Sequence, residues 1–177
     1  MRYRSLIGLA GAALLVPAAQ AAAPTISVRA EQDLRFGTFF TDTAGTRTVS
    51  ATGAVTGTAI VPVGANTAGP AQFTITYDRG NNANRTYALQ VQLIMTGVSL
   101  KVGGVTGVLS SFDTDLPGVG TLLPGQAAVF TINGCRRQIC TQTFRVGGRL
   151  DVTRANGGAA LALALPLTVV LIAEVPA

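Results

Sequence analysis

Hydrophobic and polar residues alternate with a period of two along much of the chain, and such alternation predicts half-buried β-strands. Residues 73–77 (FTITY) and 87–93 (YALQVQL) both follow this pattern. Between them, residues 78–82 (DRGNN) are of types that favour turns. We therefore predict two strands that are joined as a β-hairpin.

Turn signals separate the other alternating segments. A Pro-Gly pair, which suits the central positions of a type II turn, occurs at residues 117–118 and 124–125. The glycines at residues 147–148 are predicted to interrupt a strand before a new one starts at Leu150. The count is about eight to ten short strands, which is typical of an antiparallel sandwich or barrel. We predict an all-β fold.

The N-terminal residues 1–23 have the organisation of a secretory signal peptide. Arg2 and Arg4 precede a short apolar stretch at residues 6–16, and residues 19–21 (AQA) form a cleavage site of small residues. A membrane anchor is the alternative, but the apolar stretch is shorter than the roughly 20 residues that a spanning helix needs. We expect an exported protein located in the periplasm, at the cell surface or outside the cell. Its single domain is expected at residues 24–177.

Export decides how the two cysteines are interpreted. Cys135 and Cys140 are separated by four residues and lie between the alternating segments 128–132 and 144–146. Neighbouring cysteines in an oxidising compartment favour a disulfide, and we predict one that closes the tip of a second hairpin. A structural zinc site would need two more ligands, and a redox pair more often has two intervening residues.

The amino-acid composition excludes most kinds of catalytic site. The chain has no His, no Trp and a single lysine, Lys101, so the commonest general base and metal ligand are missing. We expect no enzyme, no catalytic residue, no metal site and no cofactor. Loss of the signal peptide lowers the formal charge from +5 to +3, and the remaining basic residues are scattered. A nucleic-acid partner is therefore not expected.

Two acidic residues are the remaining candidates for chemistry. Asp113 and Asp115 lie two positions apart within residues 111–118 (SFDTDLPG). Proline occupies the fifth and twelfth positions of the calcium-loop pattern that would start at Asp113, so that ligand set fails. Two carboxylates can also hydrolyse glycosides, but nothing else in the segment indicates this. We interpret both residues as solvated loop acids.

The C-terminal residues 159–173 are apolar except for Thr168. Pro166 interrupts this stretch, which is too short for a membrane-spanning helix. We predict a buried final strand at residues 167–175, preceded by an apolar loop. A small outer-membrane β-barrel is an alternative, but the aromatic content of 6% and the absence of Trp do not fit its aromatic girdles.

The N-terminal segment of the mature chain also alternates. Ile26, Val28 and Ala30 share one face of a predicted strand. Such a strand can pair with an exposed sheet edge of another molecule, so these residues are candidates for a donor strand. The alternative is that the segment is the first strand of its own sandwich.

Four short phrases carry a resemblance to a known group of proteins: residues 33–38 (DLRFGT), 45–50 (GTRTVS), 69–75 (GPAQFTI) and 145–152 (RVGGRLDV). They resemble a family of secreted bacterial β-sandwich domains of unknown function. That family is similar to the spore-coat-U-like subunits of archaic chaperone-usher pili. The resemblance implies an immunoglobulin-like sandwich and assembly into surface filaments.

These observations predict a non-enzymatic, exported structural or adhesive surface protein, such as a fimbrial or pilus subunit that assembles by strand exchange. The expected partners are like subunits or a periplasmic chaperone, and no stable membrane span is expected in the mature chain. A monomeric secreted or periplasmic binding module, with a ligand held by the loops around Asp113 and Cys135, is the alternative. The small outer-membrane β-barrel is the third.

Overall fold

The computed structural model describes residues 22–65, 67–81, 85–102, 104–154 and 157–176. Within these ranges the chain forms thirteen β-strands and no helix, which confirms the predicted all-β fold. The predicted signal peptide lies outside the described residues except for its last two positions. The strands are β1 (Thr25–Gln32), β2 (Leu34–Thr41), β3 (Gly45–Val49), β4 (Val55–Thr58), β5 (Val61–Pro62), β6 (Ala71–Asp78), β7 (Tyr87–Met95), β8 (Ser99–Val102), β9 (Val105–Thr114), β10 (Ala127–Cys135), β11 (Ile139–Arg154), β12 (Gly157–Leu163) and β13 (Leu167–Pro176).

The strands pair antiparallel and build three sheets. The seven-stranded sheet has the order β1-β6-β11-β3-β4, and β11 also pairs with β9, which pairs with β8. The β7 sheet has the order β10-β7-β13, and the β2 sheet has the order β12-β2-β5. More strands form than the predicted eight to ten because β4, β5 and β8 are too short for alternation to reveal them.

One hydrophobic core lies between the sheets, as in a β-sandwich. In β6 the residues Phe73, Ile75 and Tyr77 are buried, whereas the residues between them are half-buried. β7 buries Leu89 and Leu93 in the same way. The period-two pattern therefore identifies the inward face of these strands correctly. Burial of each large apolar side chain contributes about 1.5–3 kcal/mol to stability.

The prediction that β6 and β7 form a hairpin is wrong. β6 pairs with β1 and β11 in the seven-stranded sheet, whereas β7 pairs with β10 and β13 in the β7 sheet. The chain crosses from one sheet to the other, so the buried faces of the two strands meet across the core. The rings of Tyr77 and Tyr87 contact edge to face, with centroids 6.1 Å apart.

The second predicted hairpin is wrong for the same reason. β10 pairs with β7, whereas residues 139–146 of β11 pair with β6. Asn133 and Gly134 form an irregularity at the end of β10, where the register shifts between Ile132 and Cys135. Gly134 has a φ of 74°, which places the extra residue in the left-handed region that glycine tolerates.

The predicted break at the two glycines of β11 is also wrong, because β11 runs through them without interruption. The strand changes partner there: residues 139–146 pair with β6 and residues 148–152 pair with β3. A Cβ atom at Gly147 would lie 2.1 Å from the carbonyl oxygen of Val49. Glycine is therefore needed at this position for close backbone approach, and it does not end the strand.

Both predicted type II turns are confirmed. Gly118 and Gly125 have φ values of 77° and 79°, in the left-handed region that the third residue of this turn requires. The amide of Gln126 donates to the carbonyl oxygen of Leu123 at 3.0 Å, which closes the second turn.

The C-terminal segment differs from its prediction in two respects. Residues 157–163 form β12, which pairs with β2, although an apolar loop was expected. β13 is present, but its residues alternate between half-buried and exposed instead of being buried on both faces. The reason is its place at the edge of the β7 sheet, where β7 is its sheet neighbour and only one face meets the core.

Candidate functional site

β1 forms one edge of the seven-stranded sheet and pairs with β6 of the same chain. Ile26 lies opposite Tyr77 and Val28 lies opposite Ile75, and both β1 side chains are half-buried against the core. Ala30 is exposed, next to a register shift that separates it from Gln32. The three candidate donor residues therefore occupy the first strand of the chain's own sheet, and two of them contact the core.

A single residue, Asp33, separates β1 from β2. The two strands belong to different sheets, so the chain changes sheet within that one position. Beyond the crossing, Arg35 is held to Gly69 by reciprocal main-chain hydrogen bonds of 2.9 and 2.8 Å. β1 is thus a shallow edge strand, by which we mean that its side chains are only half-buried or exposed. One residue connects it to β2, which hydrogen bonds hold in place.

The predicted disulfide between Cys135 and Cys140 is confirmed, with Cα atoms 5.5 Å apart. It does not close a hairpin tip, because Cys135 ends β10 in the β7 sheet and Cys140 lies in β11 of the seven-stranded sheet. The bond therefore joins two sheets at one end of the sandwich. The ring is short, so its entropic contribution falls below the ~3 kcal/mol expected for a 15-residue loop.

A group of four side chains near the disulfide, which we call the tyrosine cluster, consists of Tyr77, Arg79, Tyr87 and Glu174. The Tyr77 hydroxyl donates to Glu174 Oε2 at 2.7 Å, and Arg79 forms an ion pair with the same carboxylate. The Arg79 guanidinium lies 4.5 Å from the centroid of the Tyr87 ring. Since Tyr87 and Glu174 belong to the β7 sheet, the cluster fastens that sheet to the end of β6.

Hydrogen bonds also hold the two segments beside the cluster, residues 78–80 and residues 136–138. The Tyr87 hydroxyl donates to the main-chain oxygen of Arg137 at 2.7 Å. Asp78 accepts hydrogen bonds from the amide of Gly80 at 2.8 Å and from the Gln138 side chain at 3.0 Å. These two bonds lower the pKa of Asp78 below its usual value. The stability that they provide is present above the unfolded-state pKa and is lost as the pH falls through the lower folded-state pKa.

We predict that the tyrosine cluster loosens at alkaline pH. Burial, and then the hydrogen bond to Glu174, raise the pKa of Tyr77 from 10.0 to about 12. Burial also raises the pKa of Tyr87. The neutral phenol is therefore favoured in the folded state, and its contribution to stability is complete below pH 10 and lost as the pH rises through about 12.

Absorbance of tyrosinate measures this directly, because Tyr77 and Tyr87 are the only tyrosines of the predicted mature chain. We expect the tyrosines of the folded protein to ionise at higher pH than those of the urea-unfolded protein. Tyr77→Phe should remove the part of the titration at the highest pH. It should also reduce the amount of stability that is lost at high pH. Identical titration of the folded and unfolded proteins would contradict the prediction.

The interpretation as solvated loop acids is wrong for Asp113 and correct for Asp115, which is exposed and follows the end of β9. Asp113 lies in β9 and accepts a hydrogen bond of 2.9 Å from the amide of Ala51. Asp115 follows the strand and accepts one of 2.7 Å from the amide of Arg145. Each carboxylate satisfies a main-chain donor of a neighbouring segment, so the pair has a structural role.

Arg47 is the one charged side chain among the buried residues of the described ranges. Its Nε donates to the main-chain oxygen of Phe36 at 2.7 Å, and its guanidinium lies 5.8 Å from the centroid of the Phe39 ring. Burial lowers the pKa of Arg47 from its usual value. Arg47 also lines an open cavity of about 320 Å³, together with Thr56 and Ile60.

The described residues hold neither a metal-binding group of side chains nor a membrane-spanning helix. No group of three or more His, Cys, Asp or Glu side chains there is arranged to hold a metal ion. A helix with the length and apolar character needed to cross a membrane is not found among these residues either.

Comparison with known proteins gives a family but no individual relative. No curated protein and no solved structure gives a significant match. The model of the family described as "Domain of unknown function (DUF4402)" matches residues 26–160, from β1 into β12. The match covers most of the chain, and the chain therefore belongs to the DUF4402 family.

Proposed function

We propose that this protein is a non-enzymatic structural or adhesive component of the bacterial surface, exported and assembled by exchange of β1 between like subunits. The observation that carries the proposal is the position of β1, a shallow edge strand joined to β2 by Asp33 alone. Short connections of this kind favour exchange of an element between copies. The resemblance to spore-coat-U-like pilus subunits supports the same function.

Exchange conserves the contacts that β1 makes in the monomer. When β1 of one subunit pairs with β6 of the next, Ser27 again lies opposite Thr76 and Val28 opposite Ile75. The main-chain hydrogen bonds and the two half-buried side chains are thus recovered, so exchange has a small net cost. While β1 is absent, the edge of β6 presents unpaired main-chain groups to a like subunit or to a periplasmic chaperone.

A disulfide that locks β1 to its own β6 tests the proposal. Ser27 and Thr76 lie directly opposite each other, with side chains on the outer face. Opposed residues of antiparallel strands have Cα atoms about 4.5–5.5 Å apart, within the range that a disulfide spans. We expect the mature protein to form polymers on concentration and the oxidised double variant Ser27→Cys/Thr76→Cys to form none, as measured by size-exclusion chromatography with light scattering.

The matched control places the same bond elsewhere in the sheet. Thr74 and Thr143 are opposed residues of β6 and β11, with hydroxyl oxygens 3.1 Å apart, so Thr74→Cys/Thr143→Cys leaves β1 free. This control should polymerise like the wild type. Polymers formed by the β1-locked variant, or by a chain that lacks residues 22–32, would show that β1 is not the exchanged element.

A monomeric binding module is the second candidate, and two observations favour it. β1 already completes its own sheet, and the buried guanidinium of Arg47 lines an open cavity. A planar guanidinium suits a small carboxylate or phosphate group. The ligand site expected near Asp113 is less suitable, because that carboxylate is bonded to Ala51. A wild-type protein that remains monomeric at all concentrations favours this candidate over strand exchange.

A further inference from the structure

The outer face of the β7 sheet is unusual in carrying no charge. Its exposed positions include Val129 on β10 and Val170 and Ile172 on β13, which are 54%, 46% and 50% exposed. The only charged residue in the three strands is Glu174, and its carboxylate is engaged by the tyrosine cluster. We call this surface the β7 face and define it by Gln90, Gln92, Val129, Val170, Ile172 and Val175.

Strand register orders these side chains into rows. Gln92 in the central strand lies opposite Val129 on one side and opposite Val170 on the other. The row therefore places an amide between two branched aliphatic side chains. The outer face of the seven-stranded sheet is different, because β11 presents exposed Arg145 and Arg149 there.

The chemistry of the β7 face suits a second copy of the same chain. Copies of a protein with a formal charge of +5, or of +3 after loss of the predicted signal peptide, repel one another, and that repulsion is weakest where no charged side chain lies in the contact. A glutamine side chain both donates and accepts hydrogen bonds, so it can pair with its own counterpart in a symmetric contact. A charged partner, by contrast, would find no complementary group on this face.

We propose that the β7 face is a lateral contact between copies of this chain, in which the two sheets stack face to face. This contact is separate from the exchange of β1 and goes beyond it, because β1 lies at the edge of the other sheet. The stacked valines exclude water, and the glutamines of the central strand pair across the contact.

The area of the face determines how strong the contact is. Three strands of about nine residues, spaced by roughly 4.8 Å, present about 400 Å² on each copy. Two such faces bury roughly 800 Å², below the 1,200–2,000 Å² of a stable complex. The contact is therefore weak and reversible between free subunits. It becomes strong when many copies are held in line, because each further contact is then intramolecular.

Sedimentation equilibrium of the β1-locked mature protein tests the lateral contact without strand exchange. We expect this protein to form reversible dimers. Val170→Lys and Val170→Glu, each added to the locked protein, should weaken dimerisation at least about tenfold, because like charges then oppose each other. An equimolar mixture of the two should restore it. Exchange of β1 is blocked in every sample, so this measurement is valid even if the proposed strand exchange does not occur.

Val108→Lys is the control, since Val108 is 40% exposed on β9 in the seven-stranded sheet. It should leave dimerisation unchanged, and circular dichroism should show that all variants are folded. Equal weakening by Val108→Lys, or unchanged dimerisation in Val170→Lys, overturns the proposal. A monomeric protein that instead binds phosphatidylglycerol vesicles through the β7 face also overturns it, because the occupant would then be a lipid surface.

Discussion

Replacing Gly147 by alanine is expected to lower the free energy of unfolding by about 4 kcal/mol. The added Cβ would lie 2.1 Å from the Val49 oxygen and 2.7 Å from the Ala51 nitrogen. Both are backbone atoms, so no side-chain rotation can relieve the overlap. β11 would have to separate from the end of β3, where it changes partner. Urea unfolding followed by circular dichroism measures the loss.

Gly120→Ala is the matched control for this substitution. Gly120 lies in a loop, and a Cβ there would meet no heavy atom within 4 Å. Its replacement should change the free energy of unfolding by less than about 1 kcal/mol. Equal effects of the two substitutions would mean that β11 does not approach the backbone at Val49 as closely as described.

The second large effect is expected at two adjacent phenylalanines of β2. Phe39 is fully buried and lies beneath the Arg47 guanidinium, whereas Phe40 is 47% exposed. Phe39→Ala should lower the free energy of unfolding by about 3–5 kcal/mol, because it opens a cavity and removes the ring that covers a buried charge. Phe40→Ala should cost less than about 1 kcal/mol.

The comparison of Phe39→Ala with Phe40→Ala tests which face of β2 points into the core. Urea unfolding of both variants under the same conditions provides the measurement. If Phe40→Ala destabilised the protein as much as Phe39→Ala, the strand would have to be rotated or shifted by one residue, since a shift of one exchanges the two faces.

The strands were largely predictable from the sequence, but their partners were not. Alternation in residues 73–77 and 87–93 identifies both strands and their buried faces, because the pattern depends only on which side meets the core. It does not distinguish a hairpin from a crossing between sheets, since both place the same residues inward. The glycines at residues 147–148 show a related limit, because close approach depends on β3, which is distant in sequence.

The candidate site was predictable only where its residues are close together in the sequence. The disulfide joins residues five positions apart, so spacing was sufficient to propose it. The tyrosine cluster joins Tyr77 to Glu174, 97 positions away, and no local pattern links them. The only signal was that Tyr77 and Tyr87 both occupy inward positions of two alternating segments that are close together in the sequence. The sheet change at Asp33 was equally invisible, because β1 and β2 appear as one alternating run.

The antiparallel pairing of β1 with β6 has a mechanical consequence. A force applied to the N-terminus along the strand axis acts in shear, so the hydrogen bonds between residues 25–32 and 72–78 bear the load together. A force perpendicular to the strand would instead open those bonds one after another. A fibre whose joints consist of this pairing would therefore resist stretching along its length far better than peeling from the side.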